Sequence, residues 1–196
     1  LADDAIYLER TLCNEDGGIQ DQIAAAFGGF NRIDFSADGY TVTPINITPE
    51  RKKLLNDNLM IFFTGLSRYS FHVQKTTKNL LGKKTQELLE ILRMVDDAEK
   101  ILVNPFSSLD DFGLMLNETW MLKRSISNEI SNSMIDDIYQ KALNAGALGG
   151  KLLGAGGGGH LIFYVNPENR EKLINSMSGC LHIPFEFENG GTKIIH

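Results

Sequence analysis

The chain has 196 residues, 42% of them apolar and 22% charged, with a formal net charge of −6. That is the profile of an ordinary globular protein with room for one sizeable core, not of a disordered chain. The acidic balance excludes a nucleic-acid partner held on a basic face, and no apolar run approaches the ~20 residues that span a bilayer, so no membrane partner is expected. Cys13 and Cys180 show neither CxxC nor zinc-type Cys/His spacing, which makes a reducing cytoplasm the expected compartment. The start, Leu1-Ala2-Asp3-Asp4-Ala5, has no signal-peptide pattern and no methionine, and reads as though cut from mid-helix.

Residues 3–13 place Ala5, Ile6, Leu8, Leu12 and Cys13 behind early acids, a helix that Gly17-Gly18 should stop, with Glu9 in its later turns. A short helix follows between the glycine pairs Gly17-Gly18 and Gly28-Gly29, and its Ala24-Ala25-Ala26 run would let another backbone approach. Phe30 to Phe35 and Tyr40 to Ile47 alternate around Ser36-Ala37-Asp38-Gly39, a hairpin signal. Beyond the charged patch Pro49-Glu50-Arg51-Lys52-Lys53, the run Leu59 to Thr64, closed by Gly65, predicts a central strand. A polar loop then passes His72, Lys75 and Lys78 into a helix with Leu88, Ile91, Leu92, Val95, Ala98 and Leu102 on one face, ending before Asn104-Pro105. Ser107 or Ser108 caps the next helix, where Leu109, Phe112, Leu116, Trp120 and Ile126 recur at helical spacing and Trp120 is assigned to the core. A third spans about 133–144 with Ile135, Ile138 and Ala142 inward. A strand at Leu161 to Val165, a helix from Pro167 to about Met177 and a strand at Ile183 to Phe187 complete an α+β pattern, a mainly antiparallel sheet packed by helices.

Between the third helix and the strand at Leu161 runs a stretch from Gly146 to His160 in which eight of fifteen residues are glycine. Such a run costs backbone entropy and is expected where the chain needs positive φ or approaches something closely. Its Gly154-x-Gly156-x-x-Gly159 spacing fits the dinucleotide fingerprint, but that fingerprint needs a strand before and a helix after, and here the order is reversed. Two readings stay open, a tight helix-to-strand connection and a loop whose bare N–H groups converge on a phosphate, with Lys151 as counter-charge. Asp21, at a helix N-terminus after flexible glycines, either steadies that helix end or orients and deprotonates a hydroxyl. Glu9 is either a solvated helix residue or a ligand for Mg²⁺, which favours one or two carboxylates plus phosphate oxygens. Arg68, Lys123 and Arg124 are the basic candidates for a phosphorylated substrate; His72 and His160 sit near no nucleophile pattern.

The segment Gly17-Gly18-Ile19-Gln20-Asp21-Gln22 with Ala24-Ala25-Ala26-Phe27-Gly28-Gly29, taken with Lys151-Leu152-Leu153-Gly154-Ala155-Gly156-Gly157-Gly158-Gly159, resembles the GHMP kinases. Within that family, Asn117-Glu118-x-Trp120-x-x-Lys123-Arg124-x-Ile126-Ser127 is similar to the heptose kinase branch. The resemblance covers nearly the whole chain. It implies a remnant of the N-terminal catalytic domain over residues 1–47. Over 48–196 it implies the C-terminal domain, with a mainly antiparallel, ferredoxin-like four-stranded sheet and packed helices. It implies phosphoryl transfer from ATP, with Mg²⁺, to a hydroxyl of a small sugar or sugar phosphate, in this branch the anomeric hydroxyl of a heptose 7-phosphate. By motif position Asp21 is similar to the family's catalytic aspartate and Glu9 to its Mg²⁺-binding glutamate. Gly18 and Gln20 fall to the substrate side, and Gly154, Ala155, Gly156, Gly157 and Gly158 match the motif against the phosphates. Because such transfer leaves the protein little covalent chemistry, positioning and charge neutralisation carry the rate.

The Gly-Ser-Ser-Ala-type phosphate loop of the family occurs nowhere in these 196 residues. The expectation is therefore the C-terminal part of a longer kinase, inactive alone and completed by a missing N-terminal portion, whose absence would leave a face open to self-association. Two alternatives are another GHMP sugar kinase, fucokinase-like or galactokinase-like, and a non-catalytic binding domain of the same fold.

Overall fold

The computed structural model describes residues 1–15, 17–66, 80–154 and 156–195. Arg68, His72, Lys75, Lys78 and Ala155 lie outside the described residues. The chain divides into two compact units, Leu1–Asn46 together with Glu186–His196, and Ile47–Phe185.

In the first unit, α1 (Ala2–Tyr7) continues into a π-helical turn, Leu8–Leu12. The predicted stop at Gly17-Gly18 comes earlier, because Asn14 takes a left-handed φ of 54° that its short amide side chain tolerates. Helix α2 (Gln20–Phe27) ends at Gly28, where φ is 63° and an added Cβ would lie 2.2 Å from the backbone of Gly190. Strands β1 (Asn31–Ser36) and β2 (Gly39–Pro44) pair antiparallel with Ser36 opposite Gly39, so Ala37 and Asp38 form the two-residue turn. The Tyr40 hydroxyl donates to Asp3 Oδ1 at 2.9 Å. Residues 186–195 close this unit: Gly29 N–H donates to Glu188 O at 3.2 Å, Thr192 donates through both N–H and Oγ1 to Ala25 O at 3.0 Å, and the rings of Phe30 and Phe187 lie 5.4 Å apart.

The second unit opens with α3 (Pro49–Asn58), in the segment that the sequence presents only as a charged patch. Its signal is the start: Thr48 Oγ1 accepts from Arg51 N–H at 3.3 Å, and Pro49 presets the first helical φ. The Arg51 guanidinium donates to the carbonyls of Leu102 (2.8 Å), Ile101 (2.7 Å) and Ser107 (2.8 Å). It thereby satisfies orphan acceptors at the end of α4 (Thr85–Val103) with charge-assisted bonds.

Strand β3 (Leu59–Phe63) lies inside a four-stranded sheet with β4 (Ala147–Leu152), β5 (His160–Val165) and β6 (Leu181–Ile183), in the order β4-β5-β3-β6 with every pairing antiparallel. Strand β6 ends sooner than the expected Ile183–Phe187, since Pro184 has no N–H for the ladder. Helices α5 (Asp110–Ile126), α6 (Ser133–Asn144) and α7 (Arg170–Ser176) help bury Met60, Phe62, Trp120, Ile135, Tyr139, Leu161, Phe163 and Leu173. On α4, Leu92 and Val95 are 57% and 41% exposed rather than inward. The helix packs on α5, and one packing partner buries a narrower stripe, centred on Ile91, Met94, Ala98 and Leu102.

Candidate functional site

The glycine-rich stretch resolves into two parts with different physical causes. Gly149 and Gly150 belong to β4, against the expectation of one continuous loop. A Cβ on Gly149 would sit 2.1 Å from Gly113 O and 2.7 Å from Asn117 N of α5, so this glycine lets helix and sheet touch backbone to backbone. The buried Tyr139 hydroxyl accepts from Gly150 N–H at 3.1 Å, with Gly150 O (3.0 Å) and Asn117 Oδ1 (2.9 Å) within donating reach. Burial pushes its pKa up to about 12.

The second part, 153–159, is a true turn. Gly157 N–H donates to Ile130 O at 3.0 Å and Gly159 N–H to Leu66 O at 2.8 Å, while Gly159 O accepts from both N–H and Oγ1 of Thr64 at 2.9 Å. These bonds fix the turn between the α5–α6 connection and the end of β3. The N–H groups of Gly154, Gly156 and Gly158 meet no acceptor among the described residues. Gly156, at φ 118°, also packs so closely that a Cβ would lie 2.9 Å from Ile130 Cα.

One lysine reaches this turn and a second precedes it in the chain. Lys123 Nζ, from the last turns of α5, donates to Gly154 O at 2.8 Å, and Lys151 lies in β4, one residue before the strand ends. Burial first, then the neighbouring charge of Lys151, lower the pKa of Lys123 from 10.5 to about 8, and burial lowers that of Lys151 as well. Neither ammonium has a carboxylate partner among the described residues. A lysine whose folded pKa is depressed opposes folding while it is charged. The opposition of Lys123 is therefore full below about pH 8 and lifts as pH rises toward 10.5. An NMR titration of the Lys123 Nζ resonance is expected to give a midpoint near 8 that moves upward in Lys151→Met, where the like charge is gone; an ordinary midpoint in the parent chain contradicts this.

Arg124 is differently placed. Its Nη2 donates to Asp136 Oδ2 at 2.7 Å, Ser131 Oγ donates to Asp136 Oδ1 at 2.6 Å, and the guanidinium carbon lies 6.0 Å from the Trp120 ring centre. An open polar cavity of about 390 Å³ adjoins it, lined among others by Met121, Ser125, Ser127 and Asn128. Nothing in the sequence pattern of α5 distinguishes Arg124, held by an acid, from Lys123, which is not.

The remaining candidates lie in the first unit. Gln20 and Asp21 form the exposed first turn of α2, and a Cβ on Gly18 would fall 2.0 Å from Gln20 Oε1. The half-buried Glu9 carboxylate accepts from Gln22 Nε2, and Gln22 Oε1 is buried without a partner among the described residues. Gln22 is a contact that the sequence alone did not single out. No three His, Cys, Asp or Glu side chains gather around a metal-sized space among the described residues. Glu9 alone thus suits only a Mg²⁺ whose other ligands are phosphate oxygens and water.

The family description "GHMP kinases C terminal" matches residues 80–182. A D-glycero-alpha-D-manno-heptose 7-phosphate kinase from Campylobacter jejuni subsp. jejuni serotype O:2 is 33% identical over 178 residues, covering 88% of this chain and 51% of that protein. The structure of a D-glycero-D-manno-heptose 1-phosphate kinase from Bacteriodes thetaiotaomicron superposes with a TM-score of 0.67 at 24% identity, over 100% of this chain and 55% of that one. A mevalonate kinase structure gives a TM-score of 0.73 at 19% identity, over 96% of this chain and 56% of the other. The chain thus spans about half the length of the heptose kinase it matches, and its fold is shared by kinases named for different substrates.

Proposed function

Because the chain belongs to the GHMP kinase family, we propose that it is the C-terminal part of an ATP-dependent sugar kinase that phosphorylates a heptose 7-phosphate, at the anomeric hydroxyl. The observation that carries the substrate class is the similarity to a heptose 7-phosphate kinase over most of the chain. The fixed turn at 153–159, with N–H groups that have no described acceptor, supports its use as a wall against phosphate oxygens.

In this reading the first unit is the remnant of the N-terminal catalytic domain. Asp21, exposed at the start of α2 and free of a hydrogen-bond partner among the described residues, orients the acceptor hydroxyl and takes its proton. Glu9 is the residue that would hold Mg²⁺, an ion that supplies charge neutralisation on the transferred phosphoryl group. Lys151, Gly154, Gly156 and Gly158 face phosphate oxygens, with Gly157 tying the turn to Ile130, and Gly18 and Gln20 belong to the substrate side; the roles assigned to Ala155 and Arg68 fall outside the described residues. Arg124, tied to Asp136, shapes the wall beside Lys123. Two free cysteines are compatible with the cytoplasm, where ATP is available.

A substrate panel tests the reading. The longer protein that contains this chain is expected to turn over ATP with a heptose 7-phosphate at a kcat/KM well above that for the unphosphorylated heptose, galactose, fucose or mevalonate, and the 196-residue chain alone to show no turnover. A preference for galactose or fucose removes the heptose assignment, and turnover by the short chain removes its assignment as an incomplete part.

A further inference from the structure

Where α5 gives way to α6, the polar cavity beside Arg124 is bounded by Met121, Ser125, Ser127, Asn128, Ser131 and Asp136. Its volume of about 390 Å³ falls in the range of about 300–1,000 Å³ typical of small-molecule sites. Arg124 is held there from three directions: Nη2 donates to Asp136 Oδ2 at 2.7 Å, Met121 Sδ lies 3.9 Å from Nη1, and the guanidinium carbon is 6.0 Å from the centre of the Trp120 ring. Ser131 Oγ donates to the other carboxylate oxygen at 2.6 Å. An ion pair whose side chains are 30% and 37% exposed adds little to stability. A strut between two helices is thus a weak account of so closely held a group.

Much of the hydrogen-bonding capacity of this cavity is unspent. Arg124 carries five N–H donors, and only the one on Asp136 meets an oxygen among the described residues. Each Asp136 oxygen accepts one described side-chain bond and has a lone pair for another. Ser125 Oγ donates to Leu122 O at 2.8 Å and keeps its lone pairs, while Ser127 Oγ accepts from Glu129 N–H at 3.3 Å and its proton has no described acceptor. The exposed Asn128 amide has no described partner. The set offers both donors and acceptors and, with Asp136 neutralising Arg124, no net charge. A hydroxyl donates and accepts at once and so answers both, whereas a phosphate would meet the Asp136 carboxylate and an ammonium the guanidinium. Met121, 40% exposed, adds apolar surface for the C–H face of a sugar ring. No aromatic side chain on which a nucleobase would stack lines the cavity among the described residues.

From this geometry we infer that the cavity recognises adjacent hydroxyls of an uncharged sugar ring, with Arg124 as donor, Asp136 as acceptor and Asn128 as a further contact. Its occupant is the acceptor sugar, which deepens the kinase reading and rests on it, whereas the hydroxyl chemistry does not.

Trp120 is the only tryptophan of the chain, so a ligand that shifts the guanidinium near its ring is read as a change in fluorescence. The 196-residue chain is titrated with mannose, galactose, glucose, adenosine and inorganic phosphate, and saturation-transfer NMR on the ligand gives a second reading where a substitution alters the baseline. At least one hexose is expected to bind saturably. Arg124→Met and Asp136→Asn should each weaken it about tenfold or more, through loss of a charge-assisted hydrogen bond, and Asn128→Ala about fivefold, through loss of a neutral one. Asn128 has no described partner in the fold, so its variant keeps the test sound should the other two fold poorly. No hexose binding, or hexose binding indifferent to all three substitutions, overturns the site. Phosphate binding that falls with Arg124→Met, in place of hexose binding, overturns it as well. Adenosine binding with the same dependence transfers the site to a ribose and overturns the acceptor sugar as occupant. In the longer protein, Asn128→Ala should raise the KM for the sugar about fivefold and leave kcat and the KM for ATP within about twofold. An unchanged sugar KM alongside hexose binding that depends on Asn128 keeps the site and overturns the acceptor as its occupant. Should the longer protein lack kinase activity while hexose binding keeps its dependence, the kinase reading fails and the site stands. Kinase activity with no hexose binding and an unchanged sugar KM leaves that reading intact and overturns the site.

Discussion

An Asp21→Asn variant of the longer protein is expected to phosphorylate its sugar about 10²–10⁴-fold more slowly than the parent, the range seen when a positioned general base is removed. The loss should appear in kcat with KM little changed, because the amide keeps the shape of the carboxylate and loses only its capacity to take a proton. Asp21 is exposed in the first turn of α2 and has no described hydrogen-bond partner. The same substitution in the 196-residue chain should therefore change stability by no more than about 0.5–1 kcal/mol, the scale of a helix-dipole contribution at the surface. Measured turnover within threefold of the parent would take Asp21 out of the chemistry.

The largest effect on stability is expected at Gly149. Alanine there places a Cβ 2.1 Å from a backbone oxygen of α5 and 2.7 Å from a backbone nitrogen of the same helix. No side chain can swing aside to relieve either contact, so α5 must move off β4, which carries Gly149 and Gly150. Overpacking of a well-packed core costs about 1–3 kcal/mol and occasionally more, and a backbone clash of this kind belongs at the upper end, about 3 kcal/mol or beyond. Gly179→Ala is the control: nothing lies within 4 Å of its added Cβ and its φ is not left-handed, so denaturant midpoints should shift by about 0.5 kcal/mol or less. Similar losses in the two variants would mean that Gly149 is not a contact point.

These two sites also show where sequence patterns carry information and where they do not. The hairpin at 31–44 follows from its alternation and its Asp-Gly turn signal, the central strand Leu59–Phe63 from a continuous apolar run, and the helices around Trp120 and Ile135 from an apolar period that buries one face. Helix α3 escapes the same reading: among Pro-Glu-Arg-Lys-Lys-Leu-Leu-Asn-Asp-Asn only Leu55 and Asn58 are buried, and two positions make no period. Strand β4 escapes for the opposite reason, since two glycines at its centre have no side chains to alternate. Two glycines of the same run, Gly149 and Gly156, are thus required by packing against α5 and Ile130, while positive φ shapes the turn that follows β4.

Within the candidate site, glycine content marked the turn, and the aspartate and basic residues were nominated by type and motif position. That Lys123 reaches Gly154 while Arg124 pairs with Asp136 depends on how α5, the connection at 127–132 and the turn pack in three dimensions. No one-dimensional spacing encodes which of two adjacent cations has a neutralising neighbour.

The closure of the first unit by residues 186–195 bears on the order in which the chain can acquire its structure during synthesis. Residues 1–46 are made before residues 186–195, so the contacts of Ala25, Gly29 and Phe30 with that later segment form only once the whole intervening unit has been made. The second unit is contiguous and can fold as soon as Phe185 emerges. Helix α2 therefore stays unsealed at Gly28 until residues 186–195 have been made. A completed second unit would draw residues 186–195 back at the modest entropic cost of a long loop whose interior is already ordered.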